Sequence, residues 1–257
     1  MHYYQKLILF FFILLTTFQL NAEVLFEGYY KVNQFKKHIG FFISRYEIDS
    51  KNKQFKTTTF LKLGKNGVDL TESLQAVSTL DFKPVSYTYL ALDSKKNKTI
   101  DAIFKDGMMT GMITENGEKK KLSKKISKDT FLSSSLYYIM LKSKDGLKTG
   151  VTFKFSAIAE EQAEEMPDGI SSFDKKMVSQ GSLQLLKIKN SFAGQDYENL
   201  ITNQGQIISA TIPATGIDIE LTKNSAEATE GVKVSSGTLE KIFGLVPEGK
   251  TNILNSK

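Results

Sequence analysis

The residues able to do chemistry are few and scattered. The chain has no cysteine, which excludes thiol nucleophiles, thiolate metal sites and disulfides. Beyond the N-terminal segment His38 is the only histidine, and it stands beside Lys36 and Lys37 with no evident catalytic partner. A general base needs a positioned partner, so this setting favours a structural histidine. We therefore predict a protein that is not an enzyme and that needs no cofactor or metal ion.

Two charged clusters are candidates for binding. An acidic cluster lies in a segment, Glu160–Ser172, that the sequence predicts to be a mobile loop: Glu160, Glu161, Glu164, Glu165 and Asp168. It lacks the Asp-x-Asp spacing of a calcium loop, which favours a solvated segment. A basic cluster follows a predicted hairpin: Lys119, Lys120, Lys121, Lys124, Lys125 and Lys128. It indicates either contact with anionic lipid headgroups or a charged edge strand that opposes aggregation.

The charge composition argues against nucleic acid as a partner. The formal net charge is +6, but Arg45 is the only arginine of the chain. Arginine is the residue best suited to bidentate contacts with phosphates and base edges. We therefore expect no binding to nucleic acid.

The N-terminal residues 1–22 predict a secretory signal peptide. Lys6 precedes an apolar run, Leu7–Leu15, and Ala22 is a small residue at the expected cleavage point. The run is shorter than the roughly 20 apolar residues of a membrane-spanning helix, which disfavours an uncleaved anchor. We expect an exported protein, in the periplasm or outside the cell, that does not span a membrane after signal removal.

Alternating apolar and polar residues dominate the rest of the chain and predict an all-β fold. Asp106-Gly107 and Asn116-Gly117 separate alternating runs and are strong hairpin signals. Roughly a dozen strands joined by short links predict an antiparallel barrel, half-barrel or sandwich. We interpret residues 23–224 as one strongly curved antiparallel sheet, forming a half-barrel or open barrel.

Two segments depart from this alternation. Residues from about Phe131 to Ser143 have helical spacing after a capping Asp129-Thr130, and predict a helix that covers or plugs the sheet. Residues 225–257 form a polar tail with a possible short helix at 238–244.

Aromatic side chains recur at two-residue spacing on the predicted strands. They are Phe26, Tyr30, Phe42, Tyr46, Tyr87, Tyr89, Phe153 and Phe155. Such residues either fill a core or, on the concave face of a curved sheet, bind an apolar ligand such as a lipid. The first hypothesis is thus a periplasmic module that holds a lipid or apolar molecule on this face.

Two alternatives belong to other classes. An envelope scaffold or adaptor would act through protein contacts, at sheet edges or through the Leu239–Phe243 segment. An outer-membrane β-barrel is disfavoured because many candidate lipid-facing positions carry Lys or Glu.

The order of these motifs resembles a known group of proteins. It begins with Phe26-Glu27-Gly28-Tyr29-Tyr30 and His38-Ile39-Gly40-Phe41-Phe42, continues through the Asp-Gly and Asn-Gly meander, and ends with Asn203-Gln204-Gly205-Gln206-Ile207. This resembles uncharacterised exported bacterial proteins built as one curved antiparallel sheet, similar to the module preceding transglutaminase-like domains in some secreted proteins. The resemblance implies a half-barrel distantly similar to periplasmic lipoprotein carriers. It carries over no catalytic residue, because the transglutaminase Cys-His-Asp machinery is absent.

Overall fold

The structure is a computed structural model that describes residues 22–255. The predicted signal peptide, residues 1–22, lies outside the described residues except for Ala22. Within the described residues, no helix is long and apolar enough to cross a membrane.

The described part of the chain contains sixteen strands, three α-helices and three 3₁₀ turns. The strands are β1 (Glu23–Gln34), β2 (Lys37–Asp49), β3 (Gln54–Leu63), β4 (Leu70–Thr79), β5 (Pro84–Asp93), β6 (Asn97–Lys105), β7 (Met108–Glu115), β8 (Glu118–Lys125), β9 (Phe131–Leu132), β10 (Thr152–Ala159), β11 (Glu164–Phe173), β12 (Val178–Gln180), β13 (Leu183–Phe192), β14 (Gln195–Ile201), β15 (Ile207–Ile212) and β16 (Ile217–Leu221). The helices are α1 (Leu136–Lys142), α2 (Ser225–Thr229) and α3 (Ser236–Phe243). The prediction of a mainly β protein is confirmed.

The strands form one large sheet, and the first strand, β1, pairs with the last strand, β16, near its middle. Strands β1 to β8 are a meander in which each strand pairs antiparallel with the next. Strand β1 also pairs with β16, from which the sheet continues backwards through β15, β14, β13, β11 and β10 to β9. The sheet curves strongly without closing, as predicted, and residues 126–130 connect its two edge strands, β8 and β9.

The predicted hairpin turns are confirmed by the backbone. Asp106 and Gly107 have φ of 52° and 74°, and Asn116 and Gly117 have φ of 50° and 87°. These left-handed conformations match the right-handed twist of the flanking strands and suit Asn, Asp and Gly. The turns join β6 to β7 and β7 to β8 in the register that the alternation predicts.

The concave face of the sheet holds most of the core, and helix α1 lies within it. The Tyr138 ring packs between the rings of Tyr46 and Phe55, with centroid distances of 4.8 and 5.0 Å. On the other side of the helix the Tyr137 hydroxyl accepts hydrogen bonds from Asn190 (3.3 Å) and Asn199 (2.7 Å). The helix therefore bridges the two arms of the sheet and fills part of the space that they enclose.

Helix α1 is shorter than the sequence predicts. The expected helix began near Phe131, but Phe131–Leu132 form strand β9, which pairs in parallel with β10. A 3₁₀ turn, Ser133–Ser135, then precedes the helix. Long-range pairing thus overrides helical spacing in the first residues of the segment.

The expectation of a mobile loop at Glu160–Ser172 is wrong. Residues Glu164–Phe173 form strand β11, which pairs with β10 on one side and β13 on the other. The residues that suggested a turn, Pro167-Asp168-Gly169, accompany an irregularity in the pairing with β10. There the Phe155 ring lies over Gly169, where an added Cβ would be 2.4 Å from the ring. A bulge therefore accommodates the turn-forming residues without ending the strand.

The C-terminal segment, residues 225–255, covers the convex face of the first three strands. Leu239 and Phe243 of α3 are buried against Tyr29, Phe41 and Phe60. The Tyr29 hydroxyl donates to the Pro247 carbonyl oxygen (3.0 Å), and burial raises the pKa of this hydroxyl to about 12. The apolar side of Leu239–Phe243, considered above as a contact for other proteins, is thus occupied by the chain itself.

A buried ion pair fixes this segment to the sheet. Arg45 pairs with Glu27, and both side chains are at least nine-tenths buried. The Arg45 Nη1 atom donates to the Phe243 carbonyl oxygen (2.8 Å), and the guanidinium lies 5.2 Å from the centre of the Phe243 ring. The second carboxylate oxygen of Glu27 accepts from the backbone N–H groups of Glu248 (2.7 Å) and Gly249 (2.8 Å).

Candidate functional site

The eight predicted aromatic residues do not form one continuous surface. Four of them pack with Leu185 and Ile208 near the middle of the sheet: Phe26, Tyr30, Phe42 and Tyr46. Tyr87 and Tyr89 belong to a second cluster in the β4–β8 arm, and Phe153 and Phe155 to a third around helix α1. Phe42 and Tyr89 also line an open space on the concave face, and this space is the candidate site.

The concave cavity, as we call this space, has a volume of about 400 Å³. It lies between strands β2–β5 on one side and the 3₁₀ turn with the β10–β11 turn on the other. The β2–β5 side presents the apolar residues Phe42, Leu61 and Leu74 together with Glu72 and Tyr89, and the other side presents Ser133, Ser134, Glu160 and Glu161. The remaining lining residues are Thr59, Ser73 and Gln195. A volume of this size accommodates a small organic ligand.

Glu160 is the most deeply buried charged residue of the cavity, with 2% of its surface exposed. The Ser133 hydroxyl donates to its Oε2 atom (2.6 Å) and the Ser134 backbone N–H donates to its Oε1 atom (3.1 Å). Burial raises the pKa of this carboxyl above its ordinary value of 4.5, while the serine hydrogen bonds oppose the rise. The two donors hold the carboxyl in one orientation at the wall of the cavity.

A second carboxyl, Glu72, faces the cavity from strand β4. Burial raises its pKa, the Tyr89 hydroxyl lowers it, and the charge of Glu161 raises it further. The pKa of the Tyr89 hydroxyl is raised by burial and by the neighbouring Glu72 carboxylate. Tyr89 is therefore a hydrogen-bond donor at any physiological pH.

This arrangement combines apolar side chains with three carboxyl groups. Carboxylates accept hydrogen bonds and attract positive charge, most strongly where water is partly excluded. The described residues contain no group of three or more His, Cys, Asp or Glu with metal-site geometry. The chemistry of the wall suits an organic ligand with an apolar body and a cationic or hydrogen-bond-donating group.

Sequence reasoning missed the carboxylates of this site. The local sequence predicts a solvated loop at Glu160 and Glu161 and carries no signal at Glu72. A usable signal precedes Glu160, because the run Ala157-Ile158-Ala159 is apolar without alternation, as in a strand buried on both faces. All four residues from Ala157 to Glu160 are buried in the structure.

His38 lies outside the cavity and has a structural environment. Its Nε2 atom lies 2.9 Å from the Gly40 carbonyl oxygen and 3.1 Å from that of Ala228, so this nitrogen carries the proton. Its Nδ1 atom lies 3.0 Å from Lys65 Nζ, which donates to it. Burial lowers the pKa of His38, and the positive charge of Lys65 lowers it further. A neutral His38 therefore ties strand β2 to the C-terminal segment.

Replacing Glu160 with glutamine is expected to remove a pH-dependent cost to the stability of the protein. Because the pKa is raised in the native state, the wild type loses stability as the pH rises from the unfolded value of 4.5 to the native pKa, and this loss is constant at higher pH. The stability of Glu160→Gln relative to the wild type should therefore increase as the pH rises above 4.5 and then level off. Urea unfolding as a function of pH measures this difference.

Glu160→Ala is the matched control, because it removes both acceptor oxygens, whereas glutamine keeps an oxygen for one of the two serine donors. It should destabilise the protein by about 1–3 kcal/mol, since the Ser134 N–H and Ser133 hydroxyl lose their partner. An unchanged difference between the wild type and Glu160→Gln at all pH values would contradict the raised pKa.

Comparisons with known proteins give a fold and no function. No family model matches the chain, and no curated protein matches it. The solved structures that match include a β-barrel-like protein of domain of unknown function DUF1849 from Brucella abortus. It is 11% identical with a TM-score of 0.53, and the alignment covers 77% of this chain and 97% of that one.

A second solved structure, a DUF1089 family protein from Pseudomonas aeruginosa, is 12% identical with a TM-score of 0.36. The alignment covers 68% of this chain and 90% of that one. The first of these structures supports a β-barrel-like fold shared with a protein of unknown function. The comparisons do not support the likeness to the module that precedes transglutaminase-like domains.

Proposed function

We propose that this protein is an exported, non-catalytic binding module that holds a small amphiphilic ligand in the concave cavity. The observation that carries the proposal is a cavity in which Phe42, Leu61 and Leu74 lie beside Glu72 on the sheet side, facing Glu160 and Glu161 on the other side. The apolar residues fit an alkyl or acyl chain, in keeping with the hypothesis of an apolar ligand. The carboxylates select among such ligands for those that end in an ammonium group.

The contacts of His38 and Ser133 support a binding function over a catalytic one. The imidazole of His38 is engaged by two backbone carbonyls and by Lys65, away from the cavity. Ser133, which lines the cavity, donates its hydroxyl proton to a carboxylate and has no histidine beside it among the described residues. The proposed export rests on residues 1–22, which carry the pattern of a signal peptide.

Binding of three matched amphiphiles tests the proposal. Dodecylamine, dodecanol and dodecanoic acid share one chain length and differ in their head group. Isothermal titration calorimetry on the processed protein should show dodecylamine bound about tenfold or more tightly than the other two, because charge-assisted hydrogen bonds form only with the ammonium. Its affinity should fall as the pH falls, since protonation of Glu72 and Glu160 removes their charge.

Two double variants test whether the amine binds in the concave cavity. Glu72→Gln combined with Glu161→Gln should weaken dodecylamine binding by about tenfold. The control replaces two exposed carboxylates outside the cavity, Glu220→Gln and Glu240→Gln, which gives the same change in net charge. Equal losses in both double variants would mean that only net charge matters. Preference for dodecanoic acid over dodecylamine would contradict a role for the carboxylates.

A further inference from the structure

A second open space has the opposite electrostatic character. It is a groove of about 490 Å³ at the end of the β5–β8 arm, beside residues 126–130 that lead to strand β9. Phe104 and Ile126 are half-buried and form its apolar floor. The lysine groove, as we call it, shares no lining residue with the concave cavity.

Four lysines surround this floor: Lys83, Lys105, Lys125 and Lys128. All four are exposed, and none of them forms an ion pair with another residue between 22 and 255. Asp106 is the one acidic residue in the lining. The groove therefore carries an excess of positive charge that the described chain leaves uncompensated.

The neighbouring lysines show why these four differ from the rest of the basic cluster. Lys124 forms an ion pair with Glu164 and donates to the Ala163 carbonyl oxygen (3.1 Å), so it serves the contact between β8 and β11. Lys119, Lys120 and Lys121 lie on β8, which pairs only with β7 and is an edge strand. These three fit the interpretation of a charged edge, whereas the four lysines of the groove surround an apolar floor.

We propose that the lysine groove docks the protein on a bilayer surface that contains anionic phospholipids. The phosphate of one lipid would contact the lysine ammonium groups, and its glycerol and first methylenes would cover Phe104 and Ile126. Each lysine near such a surface contributes about fivefold to the affinity. Charge complementarity favours this occupant over an apolar one. The absence of arginine and of a stacking platform among the lining residues disfavours nucleic acid.

Vesicle sedimentation of the processed protein tests this docking. Wild-type protein should sediment with vesicles of phosphatidylcholine and phosphatidylglycerol in equal amounts, should stay in solution with phosphatidylcholine alone, and should be released by salt. Replacing the four groove lysines with glutamine should weaken the binding by roughly 600-fold. All four side chains are exposed, so the variant is expected to fold. If the fourfold variant does not fold, two double variants provide the same test: Lys83→Gln with Lys128→Gln, and Lys105→Gln with Lys125→Gln.

The matched control removes four exposed lysines from two hairpin turns elsewhere: Lys36→Gln, Lys37→Gln, Lys51→Gln and Lys53→Gln. It should bind vesicles within about twofold of the wild type, because these side chains lie outside the groove. Equal losses in the two variants would overturn the proposal in favour of net charge. A wild-type protein that does not sediment with the anionic vesicles would also overturn the proposal. Short-chain phosphatidylglycerol monomers that bind as tightly as vesicles would overturn docking in favour of a free ligand.

Discussion

Replacing Arg45 with methionine is expected to lower the free energy of unfolding by about 3–5 kcal/mol. The substitution leaves the Glu27 carboxylate buried without its counter-ion, and it removes the donor to the Phe243 carbonyl oxygen. It also removes the guanidinium that lies against the Phe243 ring. Because the same group holds α3 and the residues that follow it, the C-terminal segment should become sensitive to proteolysis.

A double variant separates the lost pair from the lost side-chain volume. Glu27→Gln keeps an oxygen for the N–H groups of Glu248 and Gly249 and removes the buried charge. Combined with Arg45→Met, it should therefore recover part of the stability lost in Arg45→Met alone. The surface variant Lys187→Met is the control, since its pair with Glu198 is about one-third exposed and should contribute less than about 1 kcal/mol.

Urea unfolding followed by circular dichroism gives these free energies. If Arg45→Met unfolds at the same urea concentration as Lys187→Met, the ion pair does not hold the C-terminal segment. If the double variant is less stable than Arg45→Met alone, the cost of an unpaired buried charge is not the cause.

Replacing Tyr138 with alanine is expected to destabilise the protein by about 3 kcal/mol. The ring contacts Tyr46 and Phe55, which belong to the middle of the concave face. Its removal leaves a void where α1 meets strands β2 and β3. Aromatic pairs of this kind contribute beyond the area that they bury.

Tyr138→Phe is the matched control and should cost less than about 1 kcal/mol, because it keeps the ring that contacts Tyr46 and Phe55. Leu141→Ala on the same helix removes a side chain that is 40% exposed and should also have a small effect. Thermal unfolding ranks the three variants. A Tyr138→Ala protein as stable as Leu141→Ala would show that α1 does not plug the sheet.

Much of the fold follows from local sequence signals. The alternation of Phe26, Gly28 and Tyr30 against Glu27 and Tyr29 places them correctly on opposite faces of β1. The Asp-Gly and Asn-Gly turns specify two hairpins, because few other residues adopt their left-handed backbone conformations. Gly40 marks a close approach of two strands, since an added Cβ would lie 2.1 Å from the Lys62 carbonyl oxygen.

Other features depend on contacts between distant residues and have weak local signals. Strand β11 is acidic and contains a proline and a glycine, so its composition predicts a loop. Its acidic residues find partners far along the chain, such as Lys124 for Glu164 and the Ser127 N–H for Glu165 (2.8 Å). These contacts and pairing on both sides outweigh the local preference.

The sequence indicates in part that another segment covers the convex face of the sheet. Tyr29, Phe41, Ile43 and Phe60 are apolar although they point away from the concave core, which indicates a sheet covered on both faces. Residues 225–255 supply this cover, but their composition is polar, and few residues such as Leu239 and Phe243 indicate burial. The carboxylates of the concave cavity were harder to predict, because Glu72 and Glu160 meet only when the two arms of the sheet curve toward each other.

A crystal structure of the processed protein with dodecylamine tests the central claim most directly. We predict the ammonium group within hydrogen-bond distance of Glu72 or Glu161, and the alkyl chain along Phe42, Leu61 and Leu74. Electron density for the amine only in the lysine groove or on the outer surface, with the concave cavity empty, would contradict the claim.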